Sequence, residues 1–133
     1  MKILIFGLSG SGKTTLATEL NRRFYYPRIN GDVVRHHFDD WDFSLEGRLR
    51  QANRIKSLSD NVENCLIDFV APLEEYRQII NPTYSIWMNT VQESKYKDTD
   101  LLFEKPTKVN KIITSFDYDI DEIDREINEI KYW

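Results

Sequence analysis

Five short strand candidates divide this chain. Ile3 to Phe6 is unbroken, Arg28-Ile29-Asn30 is brief, and Cys65 to Ala71, Thr83 to Met88 and Val109 to Thr114 follow. Among these candidates the Ile3–Phe6 run, without polar alternation, suits a strand buried on both faces. Between them the apolar period changes. Leu16, Ala17, Leu20 and Phe24 recur at helical spacing, so a helix starts near Lys13 and ends near Tyr25-Tyr26-Pro27. Leu45, Leu49, Ala52, Ile55, Leu58 and Val62 predict a long helix, with Ser44 as its cap and an end near Asn64. Pro72 stops the third strand, and Leu73 to Ile80 can form a short helix. Asp119-Ile120-Asp121-Glu122 opens a last helix whose stripe is Ile120, Ile123, Ile127 and Ile130. Strands alternating with helices predict an α/β fold: a parallel sheet of about five strands with helices on both faces. No internal repeat interrupts this order.

Composition narrows the classes. At 133 residues the chain predicts a single domain, residues 1–133. Its net charge of −4, with no strongly basic block, argues against a nucleic-acid partner. Cys65 is the only cysteine, so no internal disulfide can form and a reducing compartment fits. No apolar run approaches membrane-spanning length, and the first is too short for a signal peptide. The expectation is a soluble, cytoplasmic protein with no membrane partner; the sequence leaves the oligomeric state open, and a homodimer is compatible with it.

The first strand runs into Gly7-Leu8-Ser9-Gly10-Ser11-Gly12-Lys13-Thr14-Thr15. Gly7-x-x-x-x-Gly12-Lys13-Thr14 between a strand and a helix is the phosphate-binding loop pattern in its proper context. Its glycines bring bare N–H groups close to a phosphate, and the helix N-terminus favours negative charge. Lys13 can reach the terminal phosphates, and Thr14 can offer its hydroxyl to Mg²⁺. ATP and Mg²⁺ are the cofactors this implies.

Other residues carry candidate chemistry. Asp32 follows the second strand beside Gly31, where open parallel sheets place their ligands. His36 and His37 are adjacent and cannot both face one metal from a helix. Asp39, Asp40 and Asp42 mark a solvated turn before the long helix. Arg48 and Gln51, one turn apart on that helix, face either the site or solvent. Asp68 interrupts an apolar strand; it either helps to hold the Mg²⁺ shell or bonds neighbouring backbone. Residues 90 to 106 are polar and lack clean periodicity, a length more often functional than idle. They are read as a lid carrying Lys95, Lys97 and Phe103.

Taken together, the phosphate loop, Asn30-Gly31-Asp32-x-x-Arg35, Asp42-Phe43-Ser44-x-x-x-Arg48 and Asp68-Phe69-Val70-Ala71-Pro72 resemble the adenylylsulfate (APS) kinase family. The likeness is good over residues 1 to 77 and only an outline beyond. It implies a P-loop kinase that transfers the γ-phosphoryl group of ATP to the 3′-hydroxyl of adenylyl sulfate. By resemblance, Asp32 orients or deprotonates that hydroxyl and helps to hold Mg²⁺ with Thr14. Arg35 and Arg48 grip the phosphosulfate. Phe43 and a lid phenylalanine, best matched by Phe103, sandwich the adenine, while Phe69, Val70 and Pro72 line the pocket. The other reading of Phe103 is ordinary packing under the lid.

This chain departs from the family pattern at several points. The family motif usually reads Asp-Gly-Asp, and here the first position is Asn30. The Glu-Asn that commonly follows the second arginine is Arg50-Gln51, with Gln51 able to replace the amide contact. The family strand usually lacks an acid where Asp68 stands, and the lid and C-terminal region are shortened. Two rival readings are another P-loop kinase, acting on a nucleotide, a sugar acid or a polynucleotide 5′ end, and a non-catalytic ATP-binding protein. A GTPase is disfavoured because Asn110-Lys111 leads to Ile113 where guanine readout needs an acid.

Overall fold

In a computed structural model that describes residues 1–132, the five strand candidates form one parallel sheet. The elements in chain order are β1 (Lys2–Phe6), α1 (Lys13–Phe24), β2 (Arg28–Asn30), α2 (Gly31–Phe38), α3 (Leu45–Asp60) and β3 (Cys65–Asp68). They continue with α4 (Glu74–Ile80), β4 (Tyr84–Met88), α5 (Lys97–Leu102), β5 (Lys111–Ile113) and α6 (Ile120–Lys131). The strand order is β2-β3-β1-β4-β5, and every pair is parallel.

Central β1 explains the unbroken apolar run. It pairs with β3 on one side and β4 on the other, and its side chains alternate between two cores. Ile3 and Ile5 pack with Leu16, Leu20, Ile123 and Ile127 of α1 and α6. Leu4 and Phe6 pack on the opposite face with Val34, Ala52, Ile55 and Ile80 of α2, α3 and α4. All four β1 side chains are fully buried, each contributing roughly 1.5–3 kcal/mol by removal from water. An Ile5→Asp change would place an unpaired charge there. Because β2 and β3 lie on one side of β1 while β4 and β5 lie on the other, the connections diverge there and a crevice opens at the carboxyl ends of the strands.

The predicted α/β class and all five strands are observed, but several boundaries differ. The third strand ends at Asp68, not Ala71: Ala71 takes a left-handed φ of 45°, which turns the chain out of the sheet before Pro72. The long helix stops at Asp60, and Val62 lies in the exposed turn after it. Two helices were not legible in the apolar period. α2 follows β2 with no linker, because Asn30 is both the last strand residue and the helix cap, its Oδ1 accepting from the Val33 N–H at 3.0 Å. α5 has only six residues and sits inside the segment read as a lid.

Candidate active site

The phosphate loop leaves β1 in a conformation that its glycines permit. A side chain at Gly7 would meet the Met88 carbonyl oxygen at 2.6 Å, and Gly12 caps α1 with a φ of 96°. No side chain caps α1, so its first N–H groups are left for a phosphate. Thr90 steadies the loop from β4's end, its hydroxyl donating to the Ser11 carbonyl at 2.7 Å. Lys13 folds back over the loop and donates to the Gly7 and Leu8 carbonyls at 2.9 and 2.8 Å. Burial pulls its ammonium down to about 8 from an ordinary 10.5, against the opposing charges of Asp68 and Asp32. A nucleotide's phosphates would offset that burial.

In front of the loop lies a cavity of about 960 Å³, near the upper end of the range for ligand sites. The loop lines it with Ser9, Gly10, Gly12, Lys13, Thr14 and Thr15. Gly7, Leu8 and Ser11 lie buried behind these residues. Asp32, Arg35, Phe43, Arg48, Gln51, Phe69, Val70 and Pro72 all reach the same cavity. Residues from Ser9 to Pro72 are thus gathered at one crevice. Thr14 and Asp32 are both exposed there and also share a smaller cleft beside it. A hydroxyl and a carboxylate, both hard oxygen donors, suit Mg²⁺ completed by water and phosphate.

One part of the cavity wall is built from two arginines and one ring. The Arg35 guanidinium lies over Phe43 at 4.2 Å from the ring centroid, and that of Arg48 at 5.4 Å. Arg35 donates through Nη1 to the Asp40 and Asp42 carbonyls. Those carbonyls are held in turn by ion pairs from Asp40 to Arg50 and Arg54, and from Asp42 to Arg50. Asp40 and Asp42, part of the stretch read as a solvated turn, therefore form a strut. Arg50 and Arg54 keep Asp40 well below the usual carboxylate range. Burial lowers Arg35 from its ordinary value, Asp40 opposes this, and the charge of Arg48 adds to the lowering. Arg48 donates to the Phe43 carbonyl at 2.8 Å and to the Thr99 hydroxyl at 2.9 Å, and lies 3.6 Å from Asp98. Gln51 donates to the Gly31 carbonyl at 2.8 Å, while its own Oε1 is buried without a partner among the described residues.

The segment from 90 to 106 meets the cavity differently from the expected lid. Tyr96, Asp98 and Thr99 line it, whereas Phe103 does not. The Phe103 ring stacks between Phe6 (6.5 Å) and Trp87 (6.2 Å) and lies under the Arg77 guanidinium at 4.9 Å. Arg77 also donates to the Ala71, Pro72 and Glu104 carbonyls, and the Glu104 N–H donates to Pro72 at 2.7 Å. Phe103 thus anchors the far end of the segment to the pocket loop and cannot sandwich a base with Phe43 from that position. Lys95 sits over the Tyr96 ring and Lys97 pairs with Glu93, both exposed. Their charges face solvent.

Sequence reasoning did not single out Trp41, Tyr76, Tyr96, Phe116 or Tyr118, all of which line the cavity. Phe116 is 60% exposed and would lie 3.3 Å from a Cβ added at Gly12. The signal for it was position: it follows the last strand at the carboxyl edge of a parallel sheet. His36 and His37 are exposed on α2, in keeping with the surface reading. Among the described residues, no helix is long and apolar enough to cross a membrane.

A family model described as adenylylsulphate kinase matches residues 1–116. The adenylyl-sulfate kinase of Halothermothrix orenii is 35% identical over an alignment of 101 residues, with coverage of 65% of this chain and 55% of that protein. The matched stretch thus spans little more than half the length of that relative. Among solved structures, a mutant of the Mycobacterium tuberculosis APS kinase superposes with a TM-score of 0.74 at 20% identity, covering 99% of this chain and 96% of that one. A shikimate kinase from Aquifex aeolicus superposes with a TM-score of 0.69 at 14% identity, covering 99% and 96% of the two chains. At these identities the two superpositions speak for the fold alone.

Proposed function

This chain belongs to the adenylylsulphate kinase family, and we propose that it transfers the γ-phosphoryl group of ATP to the 3′-hydroxyl of adenylyl sulfate. The observation that carries this reading is the pair of buried arginines converging on Phe43 in the same cavity as the phosphate loop. Two cations beside a half-exposed ring suit an acceptor that is both anionic and aromatic. A neutral sugar or a carboxylic acid without a base would leave the ring unused.

The roles follow from position. The loop N–H groups and Lys13 hold the donor phosphates and stabilise charge that develops as the phosphoryl group moves. Thr14 and Asp32 supply oxygen donors for Mg²⁺, which neutralises the phosphates when bound. Asp32, at the start of α2, also orients the acceptor hydroxyl and takes its proton. Arg35 and Arg48 bind the phosphosulfate, and Phe43 stacks on the adenine. Phe69, Val70 and Pro72 close the pocket wall. The unpartnered Gln51 Oε1 offers an acceptor for a donor group on the substrate.

Coupled ADP-release assays across adenylyl sulfate, nucleoside monophosphates, gluconate, shikimate and 5′-hydroxyl oligonucleotides test the acceptor. Adenylyl sulfate should give by far the highest kcat/KM. Preference for any other member of the panel would replace this reading.

A further inference from the structure

Asp68 is 1% exposed, and a carboxylate that deep must be compensated. Its partners are specific. Arg28 grips it with both arms, Nε to Oδ1 and Nη2 to Oδ2, each at 2.8 Å. Asn30, directly opposite Asp68 in the β2–β3 ladder, donates from Nδ2 to Oδ2 at 2.7 Å. Neither partner is neighbouring backbone.

The second end of the Asn30 amide is also engaged. Its Oδ1 caps α2 by accepting from the Val33 N–H at 3.0 Å. The amide is therefore fixed at both ends, Val33 requiring its oxygen and the Asp68 carboxylate its N–H. A flipped amide would offer N–H to N–H at Val33. α2 is the element that carries Asp32 and Arg35 into the cavity. We propose that Asp68 is a positioning residue: it gathers Arg28 and Asn30, so fixing the N-terminus of α2 and with it the aim of Asp32 and Arg35.

The chemistry makes positions 30 and 68 interdependent. A carboxylate at position 30 could still cap Val33, but its other oxygen would face Asp68 at hydrogen-bond distance with no proton between them. An amide at position 68 has one oxygen for three donors where the carboxylate has two, so Arg28 and Asn30 must compete for it. Exchanging the two residues restores one carboxylate, one amide and the cross-strand hydrogen bond.

This inference rests on the proposed reaction only for its kinetic readout. The variants are Asp68→Asn, Asn30→Asp and the exchanged double variant, each compared with wild type in the full chain. Measured are melting temperature, amide exchange at Val33, and kcat and ATP KM with adenylyl sulfate. Asp68→Asn should speed exchange at Val33 and lower kcat by about 10-fold or more, since small misplacements of reacting groups cost that much, while ATP KM stays close to wild type. Asn30→Asp should melt below wild type, and the double variant should melt above the Asn30→Asp protein. Unchanged Val33 exchange and kcat in a folded Asp68→Asn protein would overturn the proposal. So would a double variant that melts no higher than Asn30→Asp, a comparison that decides the matter even if Asp68→Asn does not fold. If wild type fails to use adenylyl sulfate while exchange and melting respond as expected, the acceptor assignment falls and the positioning role stands.

Discussion

Arg35 stands over the ring of Phe43, its guanidinium carbon 4.2 Å from the centroid, while Arg48 approaches the same ring at 5.4 Å. Both arginines are buried, and like charges in a poorly solvated site repel. The protein answers with carbonyls from Asp40, Asp42 and Phe43 and with Thr99. Among the described residues, only Nη1 of Arg35 is engaged by the protein. Its other donors are left for a ligand, and an anion there would relieve the repulsion.

Arg35→Ala and Arg48→Ala should therefore each raise the adenylyl sulfate KM by about 10-fold or more, the scale of losing charge-assisted hydrogen bonds. ATP affinity should change little. Isothermal titration with each nucleotide separates the two effects. Normal adenylyl sulfate binding by both variants would move the acceptor away from Phe43.

Lys13→Ala should abolish turnover while the fold persists, because the lysine packs on loop carbonyls and takes no part in either apolar core. A pH dependence accompanies this. The folded Lys13 ammonium is pulled down to about 8 from 10.5, so between those values the unfolded chain binds more protons than the native one. Stability from this group accordingly rises with pH across that window. Wild type should gain in melting temperature relative to Lys13→Met as pH increases from about 8 towards 10.5, in chelator and without nucleotide. A constant gap across the window would show that the ammonium is not desolvated in the free protein.

Asp32→Asn should lower kcat by about 100-fold, the usual scale for a positioned acid–base group, with adenylyl sulfate binding less affected. Single-turnover kinetics with calorimetry checks this. An unchanged kcat with a raised KM would make Asp32 a binding residue only.

What could be read in advance follows the range of the interactions. The apolar runs of β1, β3 and β4 were legible because these strands are buried, and the phosphate loop because its chemistry is contiguous; the edge strands β2 and β5, only partly buried, carried a weaker signal. The partners of Asp68 were not legible: Arg28 and Asn30 lie 40 and 38 positions away and meet it only through strand pairing. α2 escaped notice because one residue, Asn30, serves as strand end and helix cap together. α5 was hidden by its composition, since a six-residue helix that buries only Thr99 has no stripe to detect.

Phe103 shows the same limit and yields the last prediction. An aromatic in a polar segment suggested a clamp for a base, yet the ring is held between Phe6 and Trp87 under Arg77, against the face of the sheet that α2, α3 and α4 cover. The ring that this segment does bring to the cavity is Tyr96, half-exposed at the start of α5. Phe103→Ala should therefore act on stability. Truncating a buried phenylalanine costs about 3–5 kcal/mol, and a half-buried ring falls at the lower end of that range. With Phe103 gone, Arg77 also loses one of its two aromatic faces. The adenylyl sulfate KM, measured well below the melting temperature, should stay near wild type in Phe103→Ala. It should rise in Tyr96→Ala, whose melting temperature should barely change. A Phe103→Ala protein of normal stability with a raised KM would mean that this segment rearranges on binding and delivers Phe103 to the substrate after all.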